Sequence, residues 1–438
     1  MLSSRLPKDL SPSPFFDELE RAKADVLAEC AEANSLLFID MTVSSPVKAG
    51  LPVDLDDAVD EGRNAFGNWS PDAAGWKSAR EAVVEYYRQR GGNFTAGQII
   101  LTASTSEAYS VLFKTFCDPG DVILTPMPGY PLLDTLAQLE HLECAPYFLK
   151  LVRQPVKAKK NVILSGAKNP VKSSFRFVLD SDSLLAAPER AKILLLVSPH
   201  NPTGHCVSRE EWNEAVRFCE ENNMILVVDE VFGDYAFSDK VSRTWQYVFD
   251  SCHPERNEVE SMDLWDAGGG DFINLPEDGP KCPIFWLNGL SKAVGSPQLK
   301  LGWMAFYAPR EKFEEIRAAL EFVEDAYLSV SAPAQALGIS LLPKASAYES
   351  KVLDRLQQNW QTLREAFPSK YCPEVLGGWY AVVRLGEDDE ELTLRLLREK
   401  HVLVQPGFFF DFDEDGWVVM SLLQDPAIFK EAIQRIKQ

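Results

Sequence analysis

Paired cysteines, metal-type histidine spacing, excess positive charge and long apolar runs are all missing from this chain of 438 residues. The eight cysteines (Cys30, Cys117, Cys144, Cys206, Cys219, Cys252, Cys282 and Cys372) are scattered, with no C-x-x-C pair among them. That excludes the common zinc and dithiol motifs and points to reduced thiols in a cytoplasmic protein. The five histidines have no ligand spacing, so no metal is expected. Lysine and arginine total 44 against 65 aspartates and glutamates, a net charge of −21. This balance argues against a nucleic-acid or anionic-membrane partner. No stretch approaches a membrane span, and Met1 to Leu10 lacks the apolar core of a signal peptide.

What is present is a large stock of core-forming residues. The 46% hydrophobic and 25% charged content reads as soluble and globular, and the length suggests two or three domains. Residues 14–34 place Phe15, Phe16, Leu19, Ala22, Val26 and Leu27 on one stripe, which predicts an amphipathic helix. A second helix is expected over 76–90, stopped by Gly91-Gly92. From residue 99 short apolar runs alternate with helical stretches. Strands are expected at 99–102, 122–125, 193–197, 225–228 and 284–287, and helices at 106–116, 131–140 and 209–222. The fold class is therefore α/β, a mostly parallel sheet with helices on both faces. After about Pro309 the pattern changes to long helices at 311–327 and 334–367, with strands at 375–385, 402–405 and 417–422. We expect a large α/β domain over 46–309 and a smaller α+β domain from the two chain ends, 1–45 and 310–438.

Two segments, 153–176 and 251–281, have mixed composition and no clear period, and are long for loops. They read as surface insertions without a catalytic role. Cys252-His253-Pro254-Glu255-Arg256 can be encoded TGT-CAT-CCT-GAG-CGG. Shifted by one nucleotide, that DNA encodes Val162-Ile163-Leu164-Ser165 and the start of Gly166. Both segments are thus expected to be copies of one repetitive element read in two frames. A gene sequence without nucleotide similarity between them refutes this.

The chemistry gathers at strand ends. Lys292, in Asn288-Gly289-Leu290-Ser291-Lys292, follows the apolar run 284–287. Asp229 ends the valine-rich run Val227-Val228. Asn201 lies in Ser198-Pro199-His200-Asn201-Pro202-Thr203-Gly204. An amine, a carboxylate and an amide at neighbouring sheet ends suit pyridoxal phosphate: Schiff base, pyridinium partner and hydrogen bond to the ring oxygen. Each has an ordinary alternative: a solvated lysine, a helix cap and a turn residue. His200 fits a plain turn residue equally well. Ser104, Thr105 and Ser106 open a helix after a strand, where a phosphate or a simple Ser/Thr cap would fit. Lys300 could add a cation or be solvated. Tyr130, in Pro126-Met127-Pro128-Gly129-Tyr130-Pro131, could stack on a flat ring or pack in its loop.

Taken together and in this order, these motifs resemble the class I/II aminotransferases, fold-type I pyridoxal phosphate enzymes. The resemblance runs from Asn68-Trp69-Ser70-Pro71-Asp72 to the last strand. It implies that Lys292 forms the internal aldimine and shuttles the proton between the substrate α-carbon and cofactor C4′. It implies that Asp229 pairs with the pyridinium nitrogen, Asn201 with the ring oxygen, and Tyr130 with the ring face. Ser104, Thr105 and Ser106 would hold phosphate. A homodimer is implied, with a partner-subunit residue reaching the phosphate.

This chain also departs from the family pattern. Phe232 replaces a Tyr whose hydroxyl would bond the ring oxygen, so the aldimine is expected to stay protonated to higher pH; titrating the bound chromophore tests this. Trp69 stands for the partner-subunit phosphate tyrosine, and indole only donates. Lys300 stands for the phosphate arginine, without the bidentate fork. Gly289 stands for a phosphate serine. Val419 occupies the slot of the arginine that grips the substrate carboxylate. Arg384 is the candidate substitute; a surface strand-end arginine would look the same. The expected activity is amino transfer between an amino acid and a 2-oxo acid. A β-lyase on the same fold is the alternative, and a non-catalytic protein a third reading.

Overall fold

The run Ile225-Leu226-Val227-Val228 is apolar on both faces because it lies deep within one sheet. The computed structural model describes residues 3, 5–7, 10–11, 13–33, 37–67, 70–155, 173–238, 240–251, 279–328, 330–386 and 388–438. Its strands, in chain order, are β1 (Ile39–Asp40), β2 (Ile99–Thr102), β3 (Val122–Met127), β4 (Glu143–Pro155) and β5 (Ser173–Leu179). They continue with β6 (Ala191–Val197), β7 (Ile225–Asp229), β8 (Ile284–Gly289) and β9 (Gly302–Tyr307). The last are β10 (Tyr380–Arg384), β11 (Val402–Leu403), β12 (Gln405–Pro406) and β13 (Trp417–Ser421). Eight of them form one sheet, in the order β2-β9-β8-β7-β6-β3-β4-β5. Pairs among β8, β7, β6, β3 and β4 are parallel, while β9 and β5 run antiparallel to their neighbours.

Strand side chains alternate between two cores, as the pleat requires. Leu226, Val228 and Trp286 join a core with Tyr86, Tyr87 and Trp212. Ile225, Val227, Phe285 and Leu287 join the other, with Tyr109, Leu112, Phe113 and Leu320. Helices Lys77–Arg88 and Arg209–Glu221 thus cover one face, and Thr105–Phe116 and Arg310–Tyr327 the other. The expected α/β sheet covered on both faces is present.

A second sheet, β10-β13-β12, is antiparallel, and β1 pairs in parallel with β11. The N-terminal helix Pro14–Ala33 packs Phe15, Leu19, Ala22 and Val26 against Leu397 and Leu403. Among the described residues no helix is long and apolar enough to cross a membrane.

Several expected elements differ. The helix over 334–367 is two helices, Ala332–Leu341 and Ala345–Ala366, joined by a 3-10 turn at Leu342–Lys344. Pro343 lies in that turn; it lacks an N–H, and its ring opposes the carbonyl four residues back. The strand over 375–385 shortens to β10, because Gly378 adopts φ +89° just before it. The strand over 402–405 splits between two sheets. β9 is buried throughout, and its even run Gly-Trp-Met-Ala-Phe-Tyr offers no alternation to read.

The bounds expected for an insertion, 153–176, overlap two strands. Arg153, Gln154 and Pro155 continue β4, which pairs with β5 from Pro155↔Ser173 to Leu149↔Leu179. Only alternate residues of β5 such as Phe177 and Leu179 are buried, which hides the strand in a polar stretch. In the segment 251–281, Ser251 closes the helix Thr244–Ser251, and the Lys281 N–H donates to Glu220 Oε1 at 2.7 Å. Residues 156–172 and 252–278, on which the shared-repeat expectation rests, lie outside the described residues.

Candidate active site

The carboxyl ends of β6, β7 and β8 bring Asn201, Asp229 and Lys292 to one edge of the sheet, where ligands of open α/β folds bind. β8 runs into the one-turn helix Leu290–Ala293, which carries Lys292. Burial lowers the Lys292 amine to about 8, and the Asp229 carboxylate opposes that shift. Its Nζ lies 4.6 Å from the ring centre of Trp379 and 5.3 Å from that of Phe232. The amine is therefore walled by apolar rings with one carboxylate for company.

Asp229 sits at the last position of β7. Burial pushes its carboxyl up, against the Val231 N–H at 3.0 Å and the Tyr109 hydroxyl at 2.8 Å, both of which favour the carboxylate. Sequence reasoning misses Tyr109. It comes from the helix Thr105–Phe116, and its only signal is its place four residues inside a helix that opens with the suspected anion turn.

Asn201 lies in a turn anchored by the His200 N–H to His205 carbonyl bond at 2.7 Å. Gly204, at φ +68°, lets this turn meet Val375 and Gly377, and the Leu376 N–H donates to Gly204 at 2.9 Å. Asn201 Oδ1 is buried with no hydrogen-bond partner. A buried amide oxygen without a partner is costly unless a ligand supplies a donor. His200 is held by Thr203 at 3.0 Å, and burial, then His205, lowers its imidazole to about 3. It is a neutral part of the turn.

Ser104 caps the helix Thr105–Phe116, its Oγ accepting the Glu107 N–H at 3.2 Å. Thr105 and Ser106 occupy the first helical turn and are half-buried. This helix end reaches the Lys292 turn through two glycines. A Cβ on Gly302 would meet Ser104 and Thr105 backbone at 3.0 and 3.1 Å, and a Cβ on Gly289 would meet Gly302 and Leu301 at 3.0 Å. A side chain at 289 would therefore press tightly on the backbone of Leu301 and Gly302. Lys300 is exposed, in a left-handed turn at φ 53°, two residues before Gly302.

Tyr130 is 47% exposed. It lies near Tyr380, whose ring meets Phe232 edge-on at 6.0 Å. Trp69 lies outside the described residues. Arg384 goes elsewhere: it pairs with Glu414, donates to the Asp415 carbonyl at 3.3 Å, and lies over Trp417. Its last-in-strand position faces an acidic turn, and none of these contacts joins it to Lys292. Val419 is fully buried, between Val382 and Gln405.

Among the described residues, no group of three His, Cys, Asp or Glu side chains is placed to hold a metal. A cavity of about 420 Å³ lies at the opposite sheet edge, around Ile225 and Pro283, and shares no residue with the Lys292 cluster.

The profile of the aminotransferase class I and II family matches residues 54–436. Mouse tyrosine aminotransferase is 25% identical over 99% of this chain and 86% of its own length. Glutamate-pyruvate aminotransferase AlaA of Haemophilus influenzae is 24% identical, covering 92% and 90%. An alanine aminotransferase structure from Pyrococcus furiosus superposes with a TM-score of 0.72 at 21% identity, covering 98% of each chain. An aspartate aminotransferase from Thermotoga maritima gives 0.73 at 18% identity, covering 100% and 99%. The family uses pyridoxal phosphate, and the lowered Lys292 amine and the buried Asp229 suit that cofactor. With the profile spanning most of its length and the fold shared, this chain belongs to the class I and II aminotransferases, and is a transferase.

Proposed function

We propose that this enzyme moves an amino group between an amino acid and a 2-oxo acid by ping-pong chemistry, with Lys292 as attachment point and proton carrier. The observation that carries the reading is the burial of the Lys292 amine and the Asp229 carboxylate at adjacent strand ends. When bound, pyridoxal phosphate supplies an electron sink for the bond broken at the substrate α-carbon. Asp229 would keep the ring nitrogen protonated, with Tyr109 orienting the carboxylate. Asn201 would donate an amide Nδ2–H to the ring oxygen. Ser104, Thr105, Ser106 and Lys300 would hold the phosphate, Tyr130 would stack on the ring, and Trp69 of the partner subunit would reach the phosphate. Lys292, released from its own linkage, would take the α-proton and return it at C4′. Phe232 and Trp379 keep water from the amine, so its lowered basicity persists.

We further infer a cytoplasmic homodimer acting on small molecules, with domains over 46–309 and over 1–45 plus 310–438. The family resemblance supports the homodimer. Packing of the N-terminal helix on Leu397 and Leu403 supports the small domain. Sedimentation showing a monomer would count against the dimer.

The test is the visible absorbance of the cofactor-loaded protein with a panel of amino acids. Loss of the band with one amino acid and its return with a 2-oxo acid is expected. Ammonia and pyruvate release from a β-substituted amino acid would instead establish a lyase. No band at all, with added cofactor, would overturn the reading.

A further inference from the structure

The turn after Asp229 makes contacts that the chemistry above does not use. Phe232 starts a 3-10 turn, Gly233–Tyr235, that carries two buried polar side chains, Asp234 and Tyr235. The Tyr235 hydroxyl donates to the backbone carbonyl of Lys292 at 2.6 Å. That carbonyl lies in the last turn of a helix of only four residues, where no helical N–H is available to satisfy it. The Tyr235 ring packs on Trp379 at 5.2 Å, the same indole that faces the Lys292 amine at 4.6 Å. Its own carbonyl accepts the Gly378 N–H at 2.9 Å. One fully buried tyrosine therefore touches the lysine's backbone, the wall of its side chain, and the segment leading into β10.

Asp234 holds this tyrosine's turn in place. Its Oδ1 accepts from Arg90 Nε at 2.8 Å and Arg243 Nη2 at 2.9 Å, and its Oδ2 from the Tyr86 hydroxyl at 2.6 Å. The Tyr86 oxygen in turn accepts from Asn288 Nδ2 at 3.1 Å, four residues before Lys292. Arg90 also reaches Glu349 at 3.0 Å. Burial pushes the Asp234 carboxyl up, but Arg243 and Arg90 outweigh it and keep the group ionised. Such a network is rigid when every member is paired.

We propose that Tyr235 is a positioning residue for Lys292, fixing the amine between Asp229 and the Trp379 ring, with the Asp234 network as its anchor. This rests on the assignment of Lys292 as the cofactor lysine. The physical need is clear: a four-residue helix has no internal stiffness, yet proton transfer demands that the amine alternate between two atoms a short distance apart.

The experiment compares wild type with Tyr235→Phe, both cofactor-loaded, by titrating the visible band with pH and by measuring kcat and KM. Tyr147→Phe is the control; it removes a similar buried tyrosine-to-carbonyl bond, to Leu195 at 2.8 Å, inside the sheet. In Tyr235→Phe the band's titration midpoint moves and kcat falls about tenfold, while KM changes less than about threefold. The control keeps the wild-type midpoint. If Tyr235→Phe does not fold, Tyr86→Phe, which cuts the outer link to Asp234 and Asn288, is expected to move the midpoint in the same direction by less. A wild-type midpoint and kcat in a folded Tyr235→Phe protein, or an unmoved midpoint in Tyr86→Phe where Tyr235→Phe does not fold, overturns the inference. Absence of a band in wild type would instead overturn the cofactor assignment itself.

Discussion

The proposed cofactor end and the proposed substrate end of this enzyme are built on different terms. Lys292, Asp229 and Asn201 sit at ends of strands that pair directly, β6 with β7 and β7 with β8. Their geometry is set by parallel register and short turns. Val419 and Arg384 belong to the separate three-stranded sheet, where the valine is fully buried and the arginine is spent on Glu414. The first group carries the proposed chemistry. In the second, Val419 offers no charge and the Arg384 guanidinium is paired with Glu414. The comparison teaches that a chain can keep the apparatus for breaking bonds at an α-carbon while altering how that carbon's substituents are held.

The sharpest way to break this contrast is at the cofactor end. Lys292→Ala is expected to abolish the visible band and lower transamination by about 10⁴-fold. Residual activity within tenfold of wild type would show that the lysine is not the working group.

At the substrate end, Val419→Arg tests whether the slot can simply be refilled. The side chain would enter a dry space between Val382 and Gln405, so the expected result is a stability loss of about 3 kcal/mol or more, seen as a lower Tm, with no gain in affinity for any amino acid. A stable variant with tighter amino-acid binding would mean that the slot opens to the site after all.

A subtler effect concerns pH. Only the neutral amine attacks the cofactor aldehyde, and the Lys292 amine is lowered to about 8 by burial. Its neutral fraction therefore rises as pH rises through about 8. Cofactor capture by the cofactor-free protein, followed by stopped-flow absorbance, should speed up across that range and level off above it. Continued acceleration toward pH 10 would indicate a lysine with ordinary basicity.

The smallest expected effect is at Arg384. Its ion pair with Glu414 is half-exposed, so Arg384→Ala should cost less than about 1 kcal/mol of stability and leave KM within about threefold. A large rise in KM would restore Arg384 as a substrate ligand and dissolve the contrast between the two ends.

Residues whose roles depend on their sequence neighbours are legible in the chain itself. The strand ends at Asp229 and Lys292 and the turn around Asn201 can be read because apolar runs, prolines and small residues mark them locally. Tyr109 and Tyr235 are not legible, because each acts on a residue far along the chain, Asp229 and Lys292 respectively. Arg384 shows the same dependence in reverse. Its place at a strand end is as expected, but its partners come from the turn at Glu414 and Asp415. Gly289 shows a third case. Its departure from the family pattern looks like a lost ligand, yet the close approach of Gly302 and Leu301, at 3.0 Å from an added Cβ, makes a side chain there a tight fit.

From its sequence alone this protein is an α/β enzyme with a lysine, an aspartate and an asparagine at successive strand ends, since hydrophobic periodicity and turn chemistry are local properties. Only the tertiary structure decided that the lysine amine is walled by Trp379 and Phe232, that Tyr109 and Tyr235 contact the two key residues, and that Arg384 is already paired. Those facts depend on which distant side chains burial forces together, and on the desolvation and hydrogen bonding that follow.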